Sequence, residues 1–294
     1  MGFLDLYTSP ALTFAGTERG FRDADYVIVG VPLDHTSSYR PGSRFAPHAI
    51  REASLNIEGF SFRTKRSIDE LRIHDAGDLH VNVEIEEALR RLELITGEIL
   101  EKGKIPVLIG GEHTLTLGST RSIKKDFAVL CFDAHLDLRD EYMGRKICHA
   151  TVMRRVHEIE NLRRIVMVGT RAACREEIIY AEEHGIDFIS SRKIHRTGIE
   201  EISLRINELL EDQDAVYLSI DMDVLDPAFA PAVQTPEPEG ISTHQLLEII
   251  SRIDLQDLLA FDLVEVTPQY DNGATSAVAA KTIFEVLSHV SKFG

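Results

Sequence analysis

A series of short, almost wholly apolar runs constrains this chain more than any other feature. They are Tyr26-Val27-Ile28-Val29-Gly30-Val31, Ile105-Pro106-Val107-Leu108-Ile109, Phe127-Ala128-Val129-Leu130-Cys131, Arg164 to Gly169, Ile186 to Ile189, Ala215 to Ile220 and Leu258 to Val264. Runs so rich in strand formers, without polar alternation, read as strands covered on both faces, as in a parallel sheet. Helical spacing fills the gaps. Ile85, Ala88, Leu92, Ile95 and Ile99 recur within Glu84 to Lys102, which Gly103 stops, and further helices are expected over Arg175 to His184, Ile199 to Leu210 and Ser276 to Val290. The first twenty residues read as irregular. Alternating strands and helices, without a Ser/Gly-rich linker or charge block, argue for one α/β domain over residues 1–294. A closed eight-stranded barrel is the alternative architecture, and in either case function belongs at the carboxyl ends of the strands.

Three of those ends carry metal-capable side chains: His113 after Gly110-Gly111-Glu112, the row Asp133-Ala134-His135-Leu136-Asp137, and Asp221-Met222-Asp223. In extended chain, residues i, i+2 and i+4 face the same way, so Asp133, His135 and Asp137 are expected to project together. Neighbouring anions on one face need a cation between them. If all six are ligands, four carboxylates and two neutral imidazoles carry a charge of minus four, which two divalent ions balance and one does not. Oxygen and nitrogen donors without thiolate favour manganese or a similar borderline-hard ion over structural zinc. Each residue has a plainer explanation when taken alone: a strand-end histidine is often hydrogen-bonded structure, and Asp221 and Asp223 suit a turn before Asp226-Pro227. Unpaired buried charge at three strand ends is what the plainer explanation leaves over.

Charge and cysteines exclude some classes. Against 32 basic residues stand 48 acidic ones, which argues against a nucleic-acid partner and is compatible with a small cationic substrate, or simply with solubility. Cys131, Cys148 and Cys174 lack metal or disulfide spacing, which suits a reducing compartment. Met1-Gly2-Phe3-Leu4-Asp5 has no leader pattern, and no apolar stretch reaches membrane-spanning length, so a cytoplasmic location and no membrane partner are expected.

With Gly110-Gly111-Glu112-His113, Asp133-Ala134-His135-Leu136-Asp137 and Ser219-Ile220-Asp221-Met222-Asp223-Val224-Leu225-Asp226-Pro227 in this order, the chain resembles the ureohydrolases, the arginase and agmatinase family. The resemblance runs from Arg40-Pro41-Gly42 to Glu265 and Tyr270. It implies a three-layer α/β/α fold with a central, mainly parallel eight-stranded sheet, a single ureohydrolase domain, two manganese ions, and assembly into homotrimers or homohexamers. It also implies roles. His113, Asp133, Asp137 and Asp221 would hold one ion and His135, Asp133, Asp221 and Asp223 the other, with Asp133 and Asp221 bridging. His149 would carry protons, and Glu265 would bind the substrate's guanidinium; without the resemblance they read as a helix N-terminal residue and a surface loop acid.

The chemistry implied is hydrolysis of a guanidinium by hydroxide bridging two metal ions, with Asp137 passing the proton to the departing amine. Leu138-Arg139-Asp140-Glu141-Tyr142 is similar to agmatinases rather than arginases, so agmatine, giving putrescine and urea in polyamine biosynthesis, is the expected substrate. Guanidinobutyrate or arginine is the alternative, and a non-catalytic metal-binding relative a further one. The chain departs from the family pattern at Ala46, at Glu112, where Asp is usual, and at Ala232-Val233-Gln234-Thr235-Pro236 and Glu239-Gly240, where glycines are usual. The lost glycines are expected to stiffen or reshape a loop beside the pocket.

Overall fold

The computed structural model describes residues 2–291; Met1 and the last three residues of the 1–294 span lie outside them. Nine strands form one sheet: β1 (Thr8–Ser9), β2 (Tyr26–Val31), β3 (Ile73–Leu79), β4 (Ile105–Gly110), β5 (Phe127–Phe132), β6 (Leu162–Thr170), β7 (Asp187–Ser190), β8 (Val216–Asp221) and β9 (Leu258–Val264). Their order is β1-β3-β2-β4-β9-β8-β5-β6-β7. β2 to β9 pair in parallel, giving the eight expected, and β1 adds a two-residue antiparallel pairing on β3. The sheet is open, with β1 and β7 at its edges, so the barrel alternative is set aside.

Helices cover both faces, which is why the strands read as continuous apolar runs. Successive residues show the division: Leu130 and Phe132 pack on one face, Val129 and Cys131 on the other. Five helices, α1 (Phe3–Tyr7), α3 (Ile85–Glu101), α4 (Leu115–Thr120), α5 (Val152–His157) and α6 (Arg175–His184), lie on the Val129 side. On the Leu130 side are α2 (Ala46–Ser54), α7 (Ser191–Thr197), α8 (Ile199–Leu210), α9 (Thr243–Ile250) and α10 (Ala274–Val290). The first twenty residues therefore contain a helix and a strand where irregular chain was expected. No helix of the described residues is long and apolar enough to cross a membrane.

β4, β9, β8 and β5 are adjacent at the centre of the sheet. Their carboxyl ends lead into His113, Glu265, Asp221 with Asp223, and Asp133 to Asp137 respectively, so four separate sequence segments arrive at one place.

Candidate metal centre

The turn after β4 runs against the loop that follows β2. Gly111 donates to the Val31 carbonyl and Glu112 to that of Leu33, and a Cβ on Gly111 would fall 1.9 Å from the Leu33 oxygen, so only glycine fits. The row after β5 is not the straight extended segment expected. The strand ends at Phe132, the His135 N–H folds back onto Asp133 Oδ1 at 2.6 Å, and Asp137 sits at φ +52° in the left-handed region that aspartate tolerates better than most residues. A turn, rather than strand alternation, brings the three side chains together. Asp221 ends β8 and caps the turn that follows by accepting the Asp223 N–H at 2.8 Å. The turn-forming explanation thus holds for one oxygen of Asp221, while the other faces the cluster.

His113 Nδ1 lies 3.2 Å from Asp133 Oδ2, 3.2 Å from Asp137 Oδ2 and 3.4 Å from Asp221 Oδ2. His135 Nδ1 lies 3.0 Å from Asp223 Oδ2 and 3.6 Å from Asp133 Oδ1. The two oxygens of Asp133 therefore face different imidazoles. Atoms bound ~2.1 Å from one ion stand roughly 3.0–3.4 Å apart, which is the spacing of four of these pairs, the His135–Asp133 pair being slightly wider at 3.6 Å. His113 Nδ1 and Asp133 Oδ2 are buried without a hydrogen-bond partner, as donor atoms directed at a cation would be. Cys131 Sγ approaches His113 only at Nε2, 3.9 Å away on the far side of the ring, so the thiol stands outside this donor set.

Electrostatics favour a cation in the same place. Burial pushes the Asp221 carboxyl well up, and the neighbouring Asp223 and Asp133 push it further. Asp137 is pushed up to about 7 by burial and the charge of Asp133. Burial opposes charging His113 and His135, yet the surrounding carboxylates outweigh it and hold both well above the usual imidazole range. Without a cation, protons occupy the cluster. Metal uptake is expected to release protons and to weaken as pH falls from roughly 8 to 6. Calorimetric titration in buffers of different ionisation enthalpy measures this, and an uptake heat independent of buffer would contradict it.

Glu265 follows β9 at φ +70° and is buried, with one oxygen accepting the His113 N–H at 2.6 Å. His149 begins a short turn, as its plainer explanation had it, yet is also buried beside the cluster, with Tyr142 edge-on to its ring at 5.9 Å. Both line a cavity of about 430 Å³, together with His135, Asp137, Asp221 and Asp223.

An arginase-family model matches residues 24–288. The chain belongs to the arginase family. It is 35% identical over 285 residues to an agmatinase of Pyrococcus horikoshii, covering 96% of this chain and 98% of the relative. A guanidinobutyrase of Pseudomonas aeruginosa is 37% identical, covering 90% of this chain and 85% of that protein. Among solved structures, an agmatine ureohydrolase of Thermoplasma volcanium superposes with a TM-score of 0.88 at 36% identity, covering 96% of this chain and 95% of that one. The chain is thus a ureohydrolase of the arginase and agmatinase family, with the three-layer fold of that family.

Several residues that support this arginase-family site were not singled out from the sequence. Buried Asp262, within β9, accepts hydrogen bonds from Ser219 and Tyr217 at 2.5 Å and from Thr116 at 2.7 Å. Ser219 therefore spends its proton on Asp262 and accepts from His113 Nε2 at 3.0 Å, which leaves Nδ1 as the lone-pair nitrogen facing the carboxylates. A charged residue inside an apolar run was the available signal. Arg171 clamps the carbonyls of Asp223 (2.7 Å), Val224 (3.1 Å), Glu237 (2.8 Å) and Pro238 (2.9 Å), tying the turn that carries Asp221 and Asp223 to the loop beyond Thr235. That loop holds Ala232-Val233-Gln234, where the family resemblance implies glycine. Val233 bridges Val266, Gln234 donates to the Glu265 carbonyl at 3.2 Å, and Thr235 Oγ1 donates to Asp223 Oδ2 at 3.2 Å, so the departure borders the cavity directly.

Proposed function

We propose that this chain hydrolyses agmatine to putrescine and urea, with two manganese ions held by His113, Asp133, His135, Asp137, Asp221 and Asp223. The paired donor sets joined through Asp133 support two ions. The chemistry those ions supply when bound is activation of water near neutral pH. Glu265, fixed at one oxygen by the His113 N–H, offers its other oxygen to the planar guanidinium and orients it. Asp137 passes a proton to the departing amine, and His149 exchanges protons with solvent across the cavity mouth. The one continuous sheet supports a single-domain reading. Assembly into trimers or hexamers and a cytoplasmic location belong to the same proposal.

One observation carries the choice of a cationic substrate tail. Of the charged groups lining the cavity beyond the metal cluster and Glu265, Arg171 has its N–H groups turned to backbone carbonyls. Arg139 lies 3.8 Å from Glu177 and stacks on Tyr142, while Glu177 also accepts the N–H groups of Leu138 and Cys174. That leaves the Glu237 carboxylate, half-buried between Pro236 and Pro238, without a salt bridge among the described residues, with the Arg171 charge near it but not paired to it. An ammonium group satisfies it; the carboxylate tail of guanidinobutyrate or arginine would be repelled.

A urea-release screen with manganese over agmatine, guanidinobutyrate and arginine tests the proposal, which fails if a carboxylate-tailed compound is the preferred substrate or if none is hydrolysed. Glu237→Gln is expected to raise KM for agmatine roughly tenfold, the loss of one charge-assisted hydrogen bond, with kcat little changed. An unchanged KM would remove Glu237 from the tail site.

A further inference from the structure

Glu112, the departure from the family's usual aspartate, is fully buried and makes contacts that the metal site does not require. Its Oε2 accepts the backbone N–H groups of His35 at 2.5 Å and Thr36 at 2.7 Å. Its Oε1 accepts the hydroxyls of Thr36 at 2.7 Å and Thr114 at 2.6 Å. Four donors converge on this carboxylate, filling the acceptor positions it has. The consequence falls on Thr36. Its one hydroxyl proton is committed to Glu112, so towards any other partner Thr36 Oγ1 acts as acceptor. Two groups approach it from the same residue: the His149 backbone N–H at 3.2 Å and His149 Nδ1 at 3.1 Å.

Nδ1 must then carry the imidazole proton, and Nε2 the lone pair. Nε2 lies 3.2 Å from the hydroxyl of Ser38, which is exposed and lines the cavity with His149. The chain from Glu112 through Thr36 thus turns the basic nitrogen of His149 towards the cavity and its solvent-facing side. Turning the imidazole over would break both ring contacts, Nδ1 to Thr36 and Nε2 to Ser38, while the backbone N–H bond to Thr36 keeps that hydroxyl in place.

We propose that Thr36 and Glu112 are positioning residues that hold His149 in the tautomer and orientation needed to accept a proton at Nε2. The proposal rests on the reading of His149 as the proton carrier. It also gives the Glu112 departure a function: the carboxylate reaches the 35–36 loop while its backbone remains on the turn that carries His113.

Steady-state urea release from agmatine by the manganese-loaded protein tests this with Thr36→Val, Thr36→Ser, His149→Ala and the Thr36→Val/His149→Ala double variant, with manganese content measured for each. His149→Ala is expected to lower kcat ~100-fold and Thr36→Val ~10-fold, KM and bound manganese staying near wild type. Thr36→Ser recovers most of the rate. The double variant is expected to be no slower than His149→Ala, because Thr36 acts only through that ring. Two results overturn the proposal: Thr36→Val at wild-type kcat, or a double variant slower than His149→Ala by the full Thr36→Val factor. His149→Ala at wild-type rate would instead remove the reading beneath it. Glu112→Gln, which keeps the volume but replaces an acceptor oxygen by a donor, carries the same test through the other member of the chain if Thr36→Val does not fold.

Discussion

Asp133→Ala protein is expected to fold, to retain almost no manganese and to release urea at no more than ~10⁻⁴ of the wild-type rate. Among the described residues, Asp133 is the one carboxylate whose two oxygens face different imidazoles, at 3.2 Å from His113 and 3.6 Å from His135. Its removal leaves His135 with Asp223 alone among its carboxylate neighbours, so loss at one donor set should be accompanied by loss at the other. Folding should survive, because the substitution deletes one of several buried like charges and leaves the apolar strands untouched. Elemental analysis after gel filtration gives the metal content. Thermal melting with and without added manganese gives a second measure: a ligand that binds only the native state raises the melting temperature, and that rise should vanish in the variant. Full activity, or a wild-type complement of metal, would end the assignment of Asp133 as the shared ligand.

The second large effect lies far from the cluster. Arg51, on α2, is fully buried and forks onto Asp75 of β3, with Nε and Nη2 both 2.8 Å from its oxygens. It also reaches Asp78 at 2.5 Å and the Gly77 carbonyl at 3.0 Å. Asp75 in turn accepts the Phe14 N–H at 2.8 Å, so the N-terminal segment depends on the same charge. Arg51→Ala leaves the buried Asp75 carboxylate unpaired, which costs about 3–5 kcal/mol, a large share of the ~5–15 kcal/mol that separates most native domains from unfolding. Chemical denaturation should show a much lower midpoint, or the protein should be recovered only as aggregate. Replacing both partners, as in Arg51→Met with Asp75→Asn, is expected to be milder than the single change, because no lone charge remains buried. A midpoint unchanged in Arg51→Ala would show that the ion pair carries little of the stability.

That same pair explains what the sequence concealed. Each strand expected from an apolar run is present, but β3 was not expected, because His74, Asp75 and Asp78 interrupt its pattern. Asp75 and Asp78 are tolerated near the sheet's edge by an arginine more than twenty residues earlier, and no local pattern reveals that partner. β1, two residues long, carries too little pattern to be read at all. In the site, the six proposed ligands were legible because three motifs place carboxylates and imidazoles where burial would otherwise be unfavourable. Their supports were not. Thr116 and Asp262 are 146 positions apart, and Thr36 and Glu112 are 76 apart, and each is an ordinary residue until the fold joins it to its partner. The left-handed turn at Asp137 was missed for a similar reason: strand alternation suggested a row, and tertiary packing imposes a bend.

The position of β9 has a consequence for how the protein comes into being. Although last among the strands in the chain, it lies between β4 and β8, pairing in parallel with both. A nascent chain that has emerged only as far as β8 has two part-sheets whose facing edges have no common neighbour, since β4 and β8 touch only through β9. His113 follows one edge and Asp221 the other, so their 3.4 Å approach is set by the last strand to leave the ribosome. Until then His113 stands apart from the other five donors, which the directly paired β5 and β8 carry on one part-sheet, and exposed strand edges are the main hazard of the interval. Completion of the donor set around His113 should therefore come in a single late step of synthesis, as the closing strand enters its slot, after the set around His135 has already been brought together by β5 and β8.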